Sequence, residues 1–245
     1  MALTGAGGAV GPSLAAALVA RGHKVALLTR PGKERAALRK LADLAPVHGD
    51  SAAAFGADLT DESAALAAIT AANQRFGQPA ALLNLAGGFT VRPATEAGLP
   101  DVDEMLGKNF LSAVVTTKAV LPSMQDRGDG FVLAVGAGAA SQAAPGRTAY
   151  AAAKAALAAY FRSLSAELKG TGIRAAILHP MGTIDTPPNR QAMPNADFSK
   201  WISPDAVVQA ALFLMAMGRP SPGESAGEGP IGAMGRVPEI ELYPS

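Results

Sequence analysis

The sequence predicts an α/β fold: a doubly wound parallel sheet with helices on both faces, in one domain over residues 1–245. Three observations carry that prediction. Four apolar runs are near-continuous rather than alternating, as parallel strands covered on both faces require. Ala-rich segments with helix start and stop signals separate them. A glycine-rich turn stands where the first strand meets the first helix. Apolar residues make up 49% of the chain and charged residues 17%, enough to bury a large core.

The elements follow in order. Ala2–Thr4 ends a first strand. Only three residues precede Thr4, against roughly five for a usual central strand. The strand is expected either to be clipped or to belong to a natural chain that begins upstream. The later strands are Lys24–Thr29, Ala80–Gly87, Gly130–Ala137 and Ile173–Pro180, with Ala52–Leu59 a weaker candidate. Helices are expected over Pro12–Arg21, Asp61–Phe76, Asp101–Arg127, Thr148–Lys169 and from Ser203-Pro204 to Gly218. Most stop at a glycine, and the last opens with proline at its first helical position. Pro122 is expected to kink or shorten the third. Gly218–Pro230 reads as a surface loop before a final short strand. Residues 181–202 form a long irregular segment, and such a segment in a compact domain is usually functional. No repeat and no interdomain linker interrupts this order.

Composition excludes several classes. A net charge of +1 and no long basic run give no case for nucleic acid or an anionic membrane. Without cysteine there is no disulfide, thiolate metal site or thiol nucleophile. His23, His48 and His179 lack zinc-ligand spacing, so no metal is expected. The uncharged first twenty residues lack a basic leader segment and are broken by glycines, unlike a secretory signal. No apolar run reaches membrane-spanning length. A cytoplasmic protein acting on a small molecule is expected.

In "TGAGGAVG" (Thr4–Gly11), Gly5 permits a tight turn, and the small Ala9 and Gly11 let the helix start close to the sheet. Backbone N–H groups and the positive end of the helix dipole then face a phosphate. After the second strand comes Thr29-Arg30, where an NAD-preferring site would carry an acid. A guanidinium there favours NADP(H), with NAD(H) the alternative.

Together these motifs resemble the short-chain dehydrogenase/reductase family, with its Rossmann fold, over almost the whole chain. The glycine turn is similar to TGxxxGxG, "NLAG" (Asn84–Gly87) to NNAG, and "YAAAK" (Tyr150–Lys154) to YxxxK. The resemblance implies a catalytic set of Tyr150, Lys154 and Asn109. It implies cofactor contacts at Thr4, Gly5, Gly8, Val10, Gly11, Arg30, Asp58, Leu59, Asn84, Ala86 and Gly87. Tyr150, Lys154, Pro180, Ile184 and Thr186 complete that set, with Asp58 at the adenine and "IDTP" (Ile184–Pro187) closing over the nicotinamide. It also implies a homodimer or homotetramer paired through the third and fourth helices. The residues support the catalytic roles. Tyr150 and Lys154 lie one helical turn apart on one face. An ammonium beside a phenol is expected to lower the tyrosine pKa toward working pH, making Tyr150 a general acid.

One feature departs from the family. A serine usually stands thirteen residues before the tyrosine, where this chain has Ala137. Ser141 is the nearest candidate stand-in. Loss of such a donor typically costs on the order of 10²–10³ in rate. The quinonoid dihydropteridine reductase subfamily dispenses with that serine. Residues 185–201, Ala86–Gly88 and Ala137–Tyr150 resemble it, although Thr29–Phe76 follows it poorly. The resemblance implies hydride delivery to a planar quinonoid ring. Ala137, Ser141, Met193, Phe198 and Trp201 are then the candidate substrate pocket. A general carbonyl reductase and a catalytically impaired dinucleotide-binding paralogue are the alternatives.

Overall fold

The computed structural model describes residues 1–45, 49–217 and 239–244. Seven parallel strands form one sheet: β1 (Ala2–Thr4), β2 (Val25–Thr29), β3 (Ala52–Gly56), β4 (Ala81–Asn84), β5 (Gly130–Val135), β6 (Ile173–Pro180) and β7 (Glu239–Leu242). Their order is β3-β2-β1-β4-β5-β6-β7. The order reverses at β1, between β2 and β4, and a crevice for ligands opens at such a switch point. The doubly wound architecture is the expected one.

β1 has three residues yet pairs along its full length with both neighbours, Thr4 lying opposite Leu28 and Asn84. The Thr4 hydroxyl then accepts from the N–H groups of Leu85 and Ala86 at 3.1 and 3.0 Å. A side chain thus continues the pairing where the strand stops.

The helices are α1 (Gly11–Val19), α2 (Glu34–Ala42), α3 (Glu62–Phe76), α4 (Leu99–Leu106), α5 (Ser112–Arg127), α6 (Thr148–Glu167), α7 (Pro187–Ala192) and α8 (Pro204–Ala216). Two apolar cores flank the sheet. Leu14, Leu18, Leu41 and Val208 help build one under α1, α2 and α8. Ile69, Val120, Leu157 and Phe161 help build the other under α3, α5 and α6. Sequence reading left α2 unassigned, because this charged helix buries only Ala37 and Leu41.

The third expected helix is interrupted, but not at proline. α5 runs through Pro122 to Arg127. The break is a π-helical turn over Gly107–Leu111, which separates α4 from α5 and contains Asn109. Asn109 Nδ2 donates to the Met105 carbonyl at 3.1 Å, so a side chain occupies an acceptor of the helix ladder. Such π turns recur at functional sites.

The segment after β6 is more ordered than expected. Thr186 caps α7, and a backbone bond from Ile202 N–H to the Thr183 carbonyl closes the loop at 2.8 Å. The Gly218–Pro230 loop lies outside the described residues. The final strand expected after it is β7.

Candidate active site

A cleft of about 720 Å³ opens at the carboxyl ends of the strands, within the usual range for small-molecule sites. Gly5, Gly8, Val10 and Gly11 line one end; Tyr150, Lys154 and Asn109 line the other.

The glycine turn is fixed by close backbone approach. Gly5 has φ +65°, and a Cβ there would fall 2.6 Å from the Ala86 nitrogen. A Cβ on Gly11 would lie 2.5 Å from the Gly5 carbonyl oxygen. The N-terminus of α1 has no side-chain cap and no acid in its first turn. Its free N–H groups and dipole suit a phosphate. Donor set and cleft size therefore fit a nicotinamide dinucleotide.

Two of the candidate catalytic residues, Asn109 and Lys154, gather around Gly87. A Cβ on Gly87 would lie 2.8 Å from Asn109 Oδ1 and 3.9 Å from Lys154 Nζ. Asn109 is 1% exposed, and its Oδ1 accepts from Gly88 N–H at 3.2 Å. Lys154 Nζ donates to the Val135 carbonyl at 2.7 Å. Burial lowers the Lys154 pKa to about 8. Three distant stretches of chain thus meet at one point, as expected.

The tyrosine's electrostatics differ from expectation. Burial raises the Tyr150 pKa to about 12, with Arg147 pulling it back. The Lys154 ammonium lies 5.9 Å from the Tyr150 ring centre and is bonded to Val135. Desolvation of the phenolate outweighs its nearby positive charge. Tyr150 therefore stands protonated at neutral pH, the state a proton donor needs.

Of the remaining cofactor candidates, Gly87, Pro180, Ile184 and Thr186 line the cleft. Thr4, Leu59, Asn84 and Ala86 do not. Thr4 is spent on the β1–β4 junction, and Leu59 is buried in the core. Asn84 accepts from the Thr116 hydroxyl at 2.9 Å, tying β4 to α5, and the Ala86 N–H is held by Thr4. Arg30 and Asp58 are exposed beyond the strand ends, and Asp58 accepts from the N–H and hydroxyl of Thr60 at 2.9 and 2.7 Å.

The substrate candidates divide. Ala137 and Met193 line the cleft. Ser141 does not: it is exposed and its hydroxyl faces the Gly138 carbonyl at 3.4 Å, so it does not replace the missing serine. Phe198 and Trp201 pack on each other instead, with centroids 4.8 Å apart and the Arg190 guanidinium over Phe198. Arg190 is held by Asp185 through two bonds of 2.6 and 2.7 Å, and neither ring lines the cleft.

Sequence reading missed Phe89, Gln142 and Arg147, which line the cleft. Phe89 meets the Tyr150 ring edge-on at 5.1 Å. It lies in the β4–α4 connection, whose course no periodicity reveals. Arg147, three residues before Tyr150, was the legible one. Lys40 was missed too: its Nζ donates to the Gly7 carbonyl at 2.7 Å, bracing the glycine turn from α2.

Among the described residues, no group of three His, Asp or Glu side chains could hold a metal, and no helix is long and apolar enough to cross a membrane.

The comparisons with known proteins agree with this geometry. A family model described as short chain dehydrogenase matches residues 1–197. An inactive 2-(S)-hydroxypropyl-CoM dehydrogenase 2 from Xanthobacter autotrophicus is 31% identical, over 82% of this chain and 91% of its own. A 2-(S)-hydroxypropyl-CoM dehydrogenase 3 from the same organism is 29% identical, over 88% of each chain. Among solved structures, an NADPH-bound short chain oxidoreductase from Pseudomonas aeruginosa PAO1 with an atypical catalytic center superposes with a TM-score of 0.82. It is 24% identical, covering 98% of this chain and 93% of that one.

Proposed function

Because the chain belongs to the short chain dehydrogenase family, and is an NAD(P)-dependent oxidoreductase, we propose that it is an NADPH-dependent reductase of small, planar, conjugated acceptors. The observation that carries this reading is Ala137, with no stand-in from Ser141. An isolated ketone concentrates negative charge on one oxygen as hydride arrives, and that oxygen needs preorganised donors. A conjugated acceptor spreads the charge, so one missing hydroxyl costs less. Quinonoid dihydropterin is the member of this class that the resemblance of residues 185–201 favours. Phe198 and Trp201 give that choice no support, since they lie off the cleft.

The dinucleotide, when bound, supplies the hydride. The chain's residues do the rest. The glycine turn and the start of α1 hold the phosphates. Lys154, fixed on Val135 and beside Gly87, is placed to hold the nicotinamide ribose. Tyr150 would give its phenolic proton to the acceptor as the hydride arrives, so the acceptor gains both electrons and one hydrogen with the hydride and a second proton from Tyr150, whose phenolate is reprotonated from solvent. Asn109 anchors the π turn next to that proton path. The NADPH preference rests on Arg30 and on the absence of an acid at Thr29-Arg30. We place the enzyme in the cytoplasm as a homodimer or homotetramer, which light scattering would test.

The deciding assay follows loss of reduced-nicotinamide absorbance with quinonoid dihydropterin, and separately with simple ketones. Faster turnover of the pterin or another conjugated acceptor is expected. Ketone turnover that rises on the order of 10²-fold in Ala137→Ser would instead identify a damaged carbonyl reductase. Dinucleotide binding with no acceptor turned over would leave the impaired paralogue.

A further inference from the structure

The cleft carries positive charge that neither the dinucleotide contacts nor the proton donor uses. Among the described residues, its charged lining side chains are Arg147 and Lys154, and no carboxylate lines it. Lys154 spends its ammonium on the Val135 carbonyl. The Arg147 guanidinium instead lies over the Phe89 ring at 5.1 Å and makes no ion pair among the described residues. The acid that lines the adjoining small cavity with it is Asp101. That carboxylate is already taken by Arg92 at 3.1 Å and by Gly98 N–H at 2.9 Å.

Phe89 also packs against Tyr150, so one ring fixes both the guanidinium and the proton donor. A guanidinium lying on an aromatic face keeps its planar fork free for two parallel bonds to an anion. Arg147 is only partly exposed, so an anion there is screened less than at an open surface. Gln142 lines the same wall and adds a polar amide.

We propose that Arg147 binds an anionic group of the substrate, a carboxylate, sulfonate or phosphate carried close to the reducible bond. The proposal rests on the reading of this cleft as the reductase site, and it narrows the acceptor class to anionic members. A neutral pterin ring would then be a poorer substrate than a conjugated acceptor bearing an acid. The anion sits on the Tyr150 side of the cleft, so it also orients the acceptor toward the proton donor.

Binding, not turnover, gives the clean test, because Arg147 also influences Tyr150. NADPH affinity is measured first by nicotinamide fluorescence, for the native protein and for Arg147→Met and Arg147→Lys. The NADP⁺-loaded proteins are then titrated calorimetrically with benzoate, benzenesulfonate and phenylphosphonate, and with neutral benzamide. The native protein is expected to prefer at least one anion over benzamide by about tenfold or more, as charge-assisted bonds give. Arg147→Met should abolish that preference, and Arg147→Lys should restore part of it. The three anions separate the acid classes from one another. Equal affinity for benzamide, a preference that survives in Arg147→Met, or no saturable binding by any anion would overturn the proposal. Failure of the native protein to bind NADPH would be a different result: it would remove the reductase reading beneath it.

Discussion

At the β1–α1 end of the cleft the chain presents backbone; at the α6 end it presents side chains. The first end is shaped by Gly5, Gly8 and Gly11, where an added methyl would meet main-chain atoms within 3.0 Å. The second is shaped by Arg147, Tyr150 and Lys154 along the start of α6 and by Asn109 from the π turn. A backbone site tolerates no added atom but does not depend on any one functional group. A side-chain site tolerates changes of shape but loses its chemistry with a single group. The two ends should therefore fail differently.

The largest effect belongs to the side-chain end. Tyr150→Phe removes the proposed proton donor and keeps the ring against Phe89. Turnover of the best acceptor should fall by about 10²–10⁴, the usual contribution of a general acid. Dinucleotide affinity should change little, and equilibrium fluorescence titration checks it. A parallel loss of both would mean that the two ends are one unit and that the contrast is false.

The backbone end should fail through folding. Gly5→Ala forces a left-handed backbone on alanine and drives its Cβ against the Leu85–Ala86 peptide. The expected loss is on the order of 2–5 kcal/mol of stability, from backbone strain and overpacking together. Chemical denaturation measures it, and dinucleotide binding should weaken with it. Unchanged stability would show that the turn can relax.

This contrast also explains what was legible in sequence. Glycines that serve the backbone cluster within a short stretch, so Thr4–Gly11 announced its turn, and the doubly wound parallel sheet followed from the alternation of elements. Tyr150 and Lys154 were legible because the resemblance to YxxxK names them and helical spacing places them on one face. Asn109 was legible only by resemblance; its π turn has no sequence mark, and Pro122 drew attention to the wrong place. Ser141, Phe198 and Trp201 misled because their chemistry suited the site while their loops pointed elsewhere. For Phe198 and Trp201 the cause is local: Asp185 holds Arg190, and Arg190 stacks on Phe198. Phe89 and Arg147 meet across 58 residues, a contact that only the fold creates.

Lys154 sharpens the contrast further, because burial charges a cost to the side-chain end alone. Its pKa falls from 10.5 to about 8 on folding. Between those values the unfolded chain holds a proton that the folded one has released, so stability rises with pH. Tyr150 works the other way, with a folded pKa of about 12 against 10.0, and stability falls as pH climbs from 10 toward 12. From pH 8 to pH 10 Tyr150 does not yet titrate, so release of the Lys154 proton should make the native protein gain on the order of 2 kcal/mol relative to Lys154→Met. Denaturation curves across that window check it. A flat difference would mean that Lys154 keeps its proton through its bond to Val135.

The smallest expected effect tests whether the backbone end has any side-chain selectivity of its own. Arg30 follows β2 and is exposed. Lys40 reaches the same neighbourhood from α2, bonded to Gly7, whose Cα side faces the Thr29 hydroxyl. Glu34, the acid nearby, accepts from Gly32 N–H at 3.1 Å. On the proposed NADPH preference, Arg30 is the cation that would receive a ribose 2′-phosphate, with Lys40 a second cation beside the glycine turn. Arg30→Asp puts a carboxylate there and should move the NADPH/NADH affinity ratio about tenfold toward NADH, near 1.4 kcal/mol. Lys40→Met should move it less, because that ammonium is already committed to a carbonyl. A ratio unmoved by Arg30→Asp would sink the NADPH preference. It would leave the backbone end as a pure phosphate cradle and confine all selectivity to the α6 wall.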